Sequence, residues 1–299
     1  MRLKRWHWIC LGILTLLLVG KYLLFDTAAA PGAKFVIDTQ ALHRLAIASG
    51  PLPERMEVEQ VAEFSFPQTL VVAGDGWGMH PMVLLAHRLL WPDHSLLIDT
   101  AMSPAAAKVL PGSKVDARAF ARVEAAMKQA DTIIFSHEHS DHVGGVASAT
   151  DFPAIAKKVR MTREQLNGPK LERSEFQPGT LESLTPLDYD GLYRLAPGVV
   201  LQKAPGHSLG SQLVYVELAN GTRFLFVGDI AWTYDNISRR KGRPGLATLL
   251  MREDRPAVAA QLQALAALPK DIHVIVAHDP LELARDCKAG LYQLGFSTP

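Results

Sequence analysis

The chain has 299 residues, of which 48% are hydrophobic and 20% charged; this excludes a disordered or collagen-like protein and allows a sizeable core. Its 31 Lys and Arg residues nearly balance its 30 Asp and Glu residues. The chain therefore lacks the positive field of most non-specific nucleic-acid binders, and we expect no nucleic-acid partner. Two cysteines, Cys10 and Cys287, are too few for a disulfide framework or a cysteine-rich zinc site. Any metal ion must be held by histidines and carboxylates.

The first thirty residues differ in composition from the rest of the chain. Three basic residues precede an uncharged apolar run at 6–20, and small residues follow at 27–30. This order predicts a signal peptide or an uncleaved signal anchor, with residues 6–25 as the membrane-binding segment. Both remain open, because cleavage after Ala30 would leave a proline at the new N-terminus. Either one places the rest of the chain on the exported side, periplasmic or membrane-anchored, because positive residues stay inside.

Residues 34–299 show no long linker, repeat or second composition shift, which predicts a single domain. Residues 1–30 contain four basic residues and one acidic residue. Without them, 27 basic residues stand against 29 acidic ones, a formal charge of −2. The exported domain is therefore expected to be faintly acidic, and no pattern indicates its oligomeric state.

Short apolar runs bounded by turn residues alternate with helical patterns along this domain. An Asn-Gly pair at 220–221 between two apolar runs predicts a hairpin. Pro256 at the start of a segment with helical spacing of apolar residues predicts a helix. The mixture predicts an α/β fold with sheets covered by helices. The predicted strands are residues 69–72, 95–98, 132–135, 212–218, 222–227 and 273–276, and the predicted helices are residues 116–129 and 256–268.

A dense group of potential metal ligands follows the strand that ends at Phe135. The run from His137 to His142, HEHSDH, places five such residues in six positions. In an extended segment His137 and His139 point the same way and can share one ion. Asp141 and His142 then turn in another direction, which predicts a second ion beside the first. A surface or capping role, usual for a single loop histidine, does not account for this density.

Three later segments repeat one arrangement, in which an apolar strand ends in a polar side chain beside small residues. They place His207, Asp229 and His278 at strand ends. Each residue alone is more typical of an ordinary strand-end histidine or a turn cap. Together with the HEHSDH run they predict one site, because strands hold such side chains rigidly at one edge of a sheet.

These motifs resemble the metallo-β-lactamase superfamily over about residues 70–280. The motifs that carry the resemblance are His137-x-His139-x-Asp141-His142, Gly206-His207, Gly228-Asp229 and the late strand-end His278. The resemblance implies a four-layer αβ/βα sandwich and a site for two divalent ions, usually zinc; iron and manganese also suit these ligands. The implied ligand sets are His137, His139 and His207 on one ion, Asp141, His142 and His278 on the other, and Asp229 bridging both.

Two adjacent ions can share a hydroxide that is nucleophilic at neutral pH, so the protein needs no Ser or Cys nucleophile. We therefore expect an exported metal-dependent hydrolase that uses a metal-bridging hydroxide to cleave an ester or lactone bond in a small molecule. Asp141 is the candidate catalytic proton shuttle beside that hydroxide. Asp99, which follows an early strand, is either a positioning residue behind the ligands or a purely structural one.

Within the superfamily the chain is most similar to the lactonase-like branch, which includes the N-acyl-homoserine lactone lactonases. The similarity rests on residues 81–87 and 97–100 and on the ending His278-Asp279. A bridging Asp229 argues against antibiotic hydrolysis, because true β-lactamases typically have no bridging Asp there.

Aromatic residues mark one departure from that branch. Its members carry a catalytic Tyr three residues after the bridging Asp, where this chain has Trp232, and Tyr234 lies two residues further on. Trp77, Trp232 and Tyr234 are candidate substrate-pocket residues, although such aromatics more often serve packing.

Two other functions stay open. One is a mononuclear iron oxidoreductase similar to persulfide dioxygenases, which reuse part of this ligand set. The other is a glyoxalase II-like thioesterase, which shares all seven ligands, although its basic C-terminal motif is not found in this sequence. Because a single ion needs only three protein ligands, seven ligands favour the dinuclear hydrolase.

Overall fold

The computed structural model describes residues 4–25, 33–169, 171 and 174–297. Its strands form two sheets. The strands are β1 (Arg55–Pro67), β2 (Met79–Leu90), β3 (Ser95–Ile98), β4 (Lys114–Val115), β5 (Thr132–Ile134), β6 (Val159–Arg160), β7 (Leu192–Ala196), β8 (Val199–Lys203), β9 (Gln212–Glu217), β10 (Arg223–Gly228), β11 (Ile272–Val276) and β12 (Gln293–Leu294). The first sheet has the order β12-β1-β2-β3-β5-β6, with β4 also on β1, and the second has the order β11-β10-β9-β8-β7.

Helices cover the sheets or connect their strands. They are α1 (Arg5–Phe25), α2 (Thr39–Ala46), α3 (Gln68–Val71), α4 (Pro104–Ala107), α5 (Ala117–Gln129), α6 (Ser140–Ala147), α7 (Phe152–Ala156), α8 (Arg163–Leu166), α9 (Tyr234–Ser238), α10 (Gly245–Met251), α11 (Arg255–Ala266) and α12 (Pro280–Lys288). Several begin with an aspartate whose side chain accepts backbone N–H groups of the first turn, as Asp116 does for α5.

Three apolar cores separate four layers. Successive residues of a strand point to opposite faces of its sheet, and β2 shows the division. Val83 and Leu85 enter the core between the sheets, whereas Met82 and Leu84 pack with residues of α5 and α6. The second sheet packs its outer face on α2, α9 and α11 in the same way. The layer order is therefore helix, sheet, sheet, helix, which confirms the predicted αβ/βα sandwich.

The Asn-Gly hairpin and both predicted helices are present, but the predicted strand at residues 69–72 is wrong. Gln68 to Val71 form the helical turn α3, which follows Pro67 at the end of β1. Strands β1 and β2 pair from Arg55–Leu90 to Pro67–Met79, so the residues between them must reverse the chain direction. An apolar run inside such a connection packs as a turn instead of extending a sheet.

The apolar run near the N-terminus forms helix α1. An 18-residue window of this 21-residue helix has a mean hydropathy of 2.1, and none of the helix is buried. The helix is long and apolar enough to cross a membrane, and a signal sequence has the same character. The cleavage position after Ala30 and the proposed boundary between the segments lie outside the described residues.

Candidate metal centre

Strand ends from both sheets bring the predicted ligands and Asp99 to one edge of the sandwich. Asp99 directly follows β3, Asp229 directly follows β10, and His278 lies two residues beyond β11. His137 and His207 lie in the loops after β5 and β8. Because the sheets are packed across a common core, these loops are held close together.

Helix α6 positions three further ligands and packs unusually close to the loop after β3. His139 is its N-terminal capping residue, and Asp141 and His142 lie in its first turn. A side chain at Gly145 would place its Cβ atom 2.6 Å from the carbonyl oxygen of Thr100, so only glycine fits there. The backbone N–H of Thr100 also donates a 2.7 Å hydrogen bond to the carbonyl of His142. The first turn of α6 is therefore fixed against β3.

The structure brings all seven predicted ligands together in two groups, within each of which the candidate ligand atoms lie within 4.8 Å of one another. The groups are His137, His139, His207 and Asp229, and Asp141, His142, His278 and Asp229. His137, His142, His207, Asp229 and His278 are buried, whereas His139 and Asp141 are partly exposed.

Asp229 belongs to both groups, and its two carboxylate oxygens face different sets of histidines. Its Oδ1 lies 3.1 Å from Nε2 of His142 and 3.2 Å from Nε2 of His278. Its Oδ2 lies 3.2 Å from Nε2 of His207 and 3.7 Å from Nε2 of His137. This is the placement that a carboxylate needs to bridge two cations.

Three of the histidines are anchored through Nδ1. The Nδ1 of His142 lies 2.9 Å from the Asp99 carboxylate, and the Nδ1 of His278 lies 2.9 Å from the carbonyl oxygen of Val83. A ring that donates from Nδ1 leaves the lone pair of Nε2 free to bind a cation, which is the usual arrangement for metal-binding histidines. Asp99 also accepts hydrogen bonds from the backbone N–H and hydroxyl of Ser136, so it positions the neighbouring loop as well.

The third anchor, which the sequence analysis missed, is a buried ion pair behind His207. Nδ1 of His207 lies 3.0 Å from Oε2 of Glu253, and the same oxygen accepts a 2.8 Å hydrogen bond from Nε of Arg243. Arg243 also donates a 2.7 Å hydrogen bond to the backbone carbonyl of Asp229. Arg243 opposes the burial of Glu253 and holds the pKa of its carboxyl below the ordinary value. Both residues come from the segment between Asp229 and α11, where no motif marks them.

The side chains fit a pair of divalent cations. Nε2 of His137 is buried and has no hydrogen-bond partner among the described residues, which is costly unless something else binds it. Nitrogen and carboxylate donors of this kind suit zinc, iron and manganese.

Opposite charges in the cluster stabilise the charged forms of their neighbours. Burial raises the pKa of Asp229, but the surrounding histidines, led by His278, hold it well below the ordinary value. Burial also lowers the pKa of His142, but the carboxylates of Asp99, Asp141 and Asp229 hold it well above the ordinary value. Asp229 is therefore an anion at neutral pH.

Glu138 stands between two predicted ligands but does not join either group. Its carboxylate accepts a 2.7 Å hydrogen bond from the hydroxyl of Ser208, and burial raises its pKa. It connects the loops that carry His137 and His207, so its role in the structure is positional. The HEHSDH run therefore supplies four ligands and not five. Successive side chains of an extended segment point to opposite sides, so Glu138 points away from its two neighbours.

A cavity of about 290 Å³ opens beside His139 and His207. Most of its other lining is apolar: Pro169, Pro205, Leu209, Met251 and Ala257, with Arg252 and Asp254 among its polar residues. An apolar pocket with a few polar groups is typical of a small-molecule site.

Of the three predicted pocket aromatics, only Trp232 contacts the cluster. It is buried, and its indole Nε1 donates a 2.7 Å hydrogen bond to Oδ2 of Asp229. Trp77 is 68% exposed and its ring lies 5.8 Å from that of Phe25 in α1. Tyr234 lines a different surface cavity and lies beside Arg285. The structure therefore does not bring Trp77 and Tyr234 to the cavity beside His139.

A family model described as the metallo-beta-lactamase superfamily matches residues 76–278. This chain belongs to the metallo-beta-lactamase superfamily. Among solved structures, an N-acyl homoserine lactone hydrolase with product bound at its catalytic metal centre has a TM-score of 0.62 and 19% identity, with 78% of this chain and 96% of that chain covered. AidC, a dizinc quorum-quenching lactonase, has a TM-score of 0.55 and 16% identity, with 75% and 86% covered. These likenesses establish the superfamily fold.

Curated relatives match shorter parts of the chain. N-acyl homoserine lactonase AiiA of Bacillus thuringiensis subsp. kurstaki is 33% identical over 107 residues, which are 35% of this chain and 40% of AiiA. A hydroxyacylglutathione hydrolase of Aeromonas hydrophila subsp. hydrophila is 31% identical over 161 residues, which are 53% of this chain and 51% of that enzyme. The aligned part of the chain thus spans about half of each relative or less.

Proposed function

We propose that the protein is an exported hydrolase that uses two divalent metal ions to cleave an ester or lactone bond. The observation that carries this proposal is the placement of Asp229, whose Oδ1 faces His142 and His278 while its Oδ2 faces His137 and His207. A single-ion oxidoreductase needs no such carboxylate between two histidine sets. Similarity to lactonases over part of the chain supports the same class.

The proposed chemistry follows from the positions of the side chains. When bound, the two ions would supply a nucleophile from water at neutral pH and polarise the substrate carbonyl. The imidazoles of the two groups would hold the cations, and the Asp229 carboxylate lies between the two groups. Asp141 Oδ2 lies 3.5 Å from His278 Nε2, and its partial exposure suits a carboxylate that takes a proton and returns it to the leaving oxygen.

The cavity supports an uncharged, partly apolar substrate. Leu209, Met251 and Ala257 line it beside His139 and His207, so an acyl group placed there would bring its carbonyl to the cluster. Thioester hydrolysis is the second candidate, since a hydroxyacylglutathione hydrolase aligns with about half of the chain. Glutathione carries two carboxylates, whereas Arg252 is the cation among the residues that line this cavity. We therefore rank lactones and simple esters above glutathione thioesters.

Zinc is our first choice for both ions, with iron and manganese as chemically compatible alternatives. We assign residues 34–299 to the catalytic domain and residues 1–30 to the export segment, which places the enzyme on the exported face or in the periplasm. A fusion of residues 1–30 to a reporter that folds only outside the cytoplasm would test this assignment. A reporter that stays inactive would contradict it.

The substrate class is tested by assaying the metal-loaded full chain on a panel. The panel holds lactones of several acyl lengths, an aryl ester, a glutathione thioester, a cephalosporin and a phosphodiester. We expect the lactones and the ester to be hydrolysed with the highest kcat/KM. Preference for the thioester would select the second candidate, and preference for the cephalosporin or the phosphodiester by orders of magnitude would overturn the proposal.

A further inference from the structure

Three exposed leucines lie in the lining of the cavity beside the metal centre or come just before a lining residue in sequence, and we call Leu209, Leu249 and Leu250 the apolar rim. Leu209 lines the cavity and is 60% exposed. Leu249 and Leu250 are 70% and 69% exposed at the end of α10, and the next residue, Met251, lines the cavity. Large apolar side chains that are exposed together commonly mark a docking surface.

The end of the apolar helix α1 packs on the same part of the fold. The carbonyl oxygen of Tyr22 would lie 3.0 Å from a Cβ atom at Gly245, the first residue of α10. The hydroxyl of Thr69 in α3 donates a 3.2 Å hydrogen bond to the carbonyl of Leu24. Helix α1 therefore reaches the folded domain at α10, the helix that carries the apolar rim.

Helix α1 has the dimensions of a membrane span. Its 21 residues extend about 30 Å at 1.5 Å per residue, the thickness of the hydrocarbon core of a bilayer. Arg2, Lys4 and Arg5 precede the apolar run and only Lys21 follows it, so the excess of positive charge would keep the N-terminus inside and the domain would follow on the far side of the membrane. If α1 spans the bilayer, its C-terminal end lies at the membrane surface and holds α10 there.

The surroundings of this junction have the composition of a membrane interface. Trp77, which is largely exposed, meets the ring of Phe25. The Nζ atom of Lys241 and the Phe25 ring both lie within 4 Å of a Cβ position at Gly74. Arg252 lies next to Met251 at the cavity. Tryptophan and basic side chains beside exposed leucines suit lipid headgroups above acyl chains.

We propose that α1 is an uncleaved anchor and that the apolar rim docks into the surface of a lipid bilayer, so that the cavity opens toward the acyl-chain region. Substrates that partition into the membrane would then enter from the lipid. This second statement rests on the proposed function, because it assumes that the cavity binds the substrate of the metal centre.

The test uses the full chain reconstituted in vesicles of phosphatidylethanolamine and phosphatidylglycerol. Single cysteines are introduced as Leu250→Cys or Leu209→Cys in a Cys10→Ser, Cys287→Ser background and labelled with a polarity-sensitive fluorophore. Leu294→Cys is the matched control, since Leu294 is also exposed. Leu294 pairs with Val58 near the start of β1. Pro67, at the other end of that strand, is about 30 Å away. Pro67 directly precedes α3, the helix that contacts the end of α1. Lipids with a nitroxide on the acyl chain serve as quenchers.

We expect the labels at 209 and 250 to shift to shorter wavelength and to be quenched by the nitroxide lipids several-fold more than the label at 294. Equal emission and equal quenching at all three positions would overturn docking. A shift that appears without vesicles and grows with protein concentration would also overturn it and would indicate a second copy of the chain on the rim.

A separate measurement tests substrate entry. The double variant Leu249→Asp, Leu250→Asp should raise KM several-fold for a long-chain ester in vesicles and leave KM unchanged for a soluble short-chain ester. Equal effects on both esters would overturn entry from the lipid. Because the fluorescence readout needs no turnover, a chain that docks without hydrolysing any ester would contradict only the proposed function.

Discussion

The indole Nε1 of Trp232 donates a 2.7 Å hydrogen bond to Oδ2 of Asp229, the oxygen that faces His137 and His207. The ring is also held by Phe66, at 5.6 Å, and by the guanidinium of Arg243, at 4.7 Å. Trp232 therefore orients the central carboxylate of the site and does not line the cavity beside His139.

Trp232→Phe should weaken metal binding. The substitution keeps an aromatic ring against Phe66 but removes the only donor of the indole, so Asp229 is held less firmly between the histidines. Loss of a partner behind a metal ligand typically costs 10-fold to 100-fold in affinity, and we expect roughly 10-fold here. Competition with a chromophoric chelator measures it. Trp91→Phe is the control, because Trp91 donates to the carbonyl of Pro51; equal affinities of the two variants would contradict this role.

Asp229→Asn should disturb the metal pair more than the fold. A neutral amide does not bridge two cations as a carboxylate does, so we expect one ion to be lost together with most turnover. The hairpin of β9 and β10 should persist, because its pairing does not involve this side chain. Metal analysis measures the number of bound ions, kinetics measures the turnover, and circular dichroism measures whether the fold persists. Two bound ions with parental turnover would disprove the bridging role.

Glu253→Ala should destabilise the chain strongly even in the presence of a chelator. The substitution leaves Arg243, whose side chain is fully buried, as an unpaired charge. We expect the free energy of unfolding to fall by about 3–5 kcal/mol. Asp188→Ala is the control, because it breaks the exposed ion pair with Arg163, and exposed pairs contribute little to the free energy of unfolding. Urea unfolding of both variants measures the difference. Similar losses of unfolding free energy in the two variants would contradict a buried charge pair behind His207.

Glu282 in α12 makes the free energy of unfolding depend on pH between its ordinary and its raised pKa. Burial raises its pKa to about 8 from an ordinary value of 4.5. The folded state therefore keeps a proton that the unfolded state loses, and stability falls as pH rises from 4.5 to 8, by at most about 1.4 kcal/mol per pH unit. Glu282→Gln removes this loss, so the variant should match the parent near pH 4.5 and exceed it at pH 8.

Denaturant unfolding of the parent and Glu282→Gln across this pH range checks the expectation. Glu182→Gln is the control, because Glu182 is exposed and should give no pH-dependent difference. A constant offset between parent and Glu282→Gln from pH 4.5 to 8 would show that Glu282 does not titrate abnormally.

The sequence was informative where chemistry and spacing coincide. The HEHSDH run and the three strand-end ligands are local signals, so their convergence could be predicted from His137, His207, Asp229 and His278. The anchors behind them could not. Glu253 reaches His207 from 46 residues away along the chain, and nothing in its neighbourhood distinguishes a buried glutamate from a solvated one.

Two candidate pocket aromatics lie away from the cavity beside His139 for a related reason. Trp77 and Tyr234 are close in sequence to glycine turns or to Asp229, but proximity in a loop does not set the direction of a side chain. Likewise the apolar residues 69–72 satisfy a strand pattern, and the tertiary pairing of β1 with β2 makes them part of a reversal. The strand β7 was not predicted, because its partly polar sequence, LYRLA, shows no clear alternation.

The number of metal ions per chain is the measurement that tests the central claim most directly. The purified full chain is loaded with zinc, dialysed against metal-free buffer and analysed by mass spectrometry alongside His139→Ala and His207→Ala. We predict two ions per chain for the parent and one for each variant, with most of the turnover lost. Saturation of the parent at one ion or none, or two ions and full turnover in either variant, would contradict the dinuclear site.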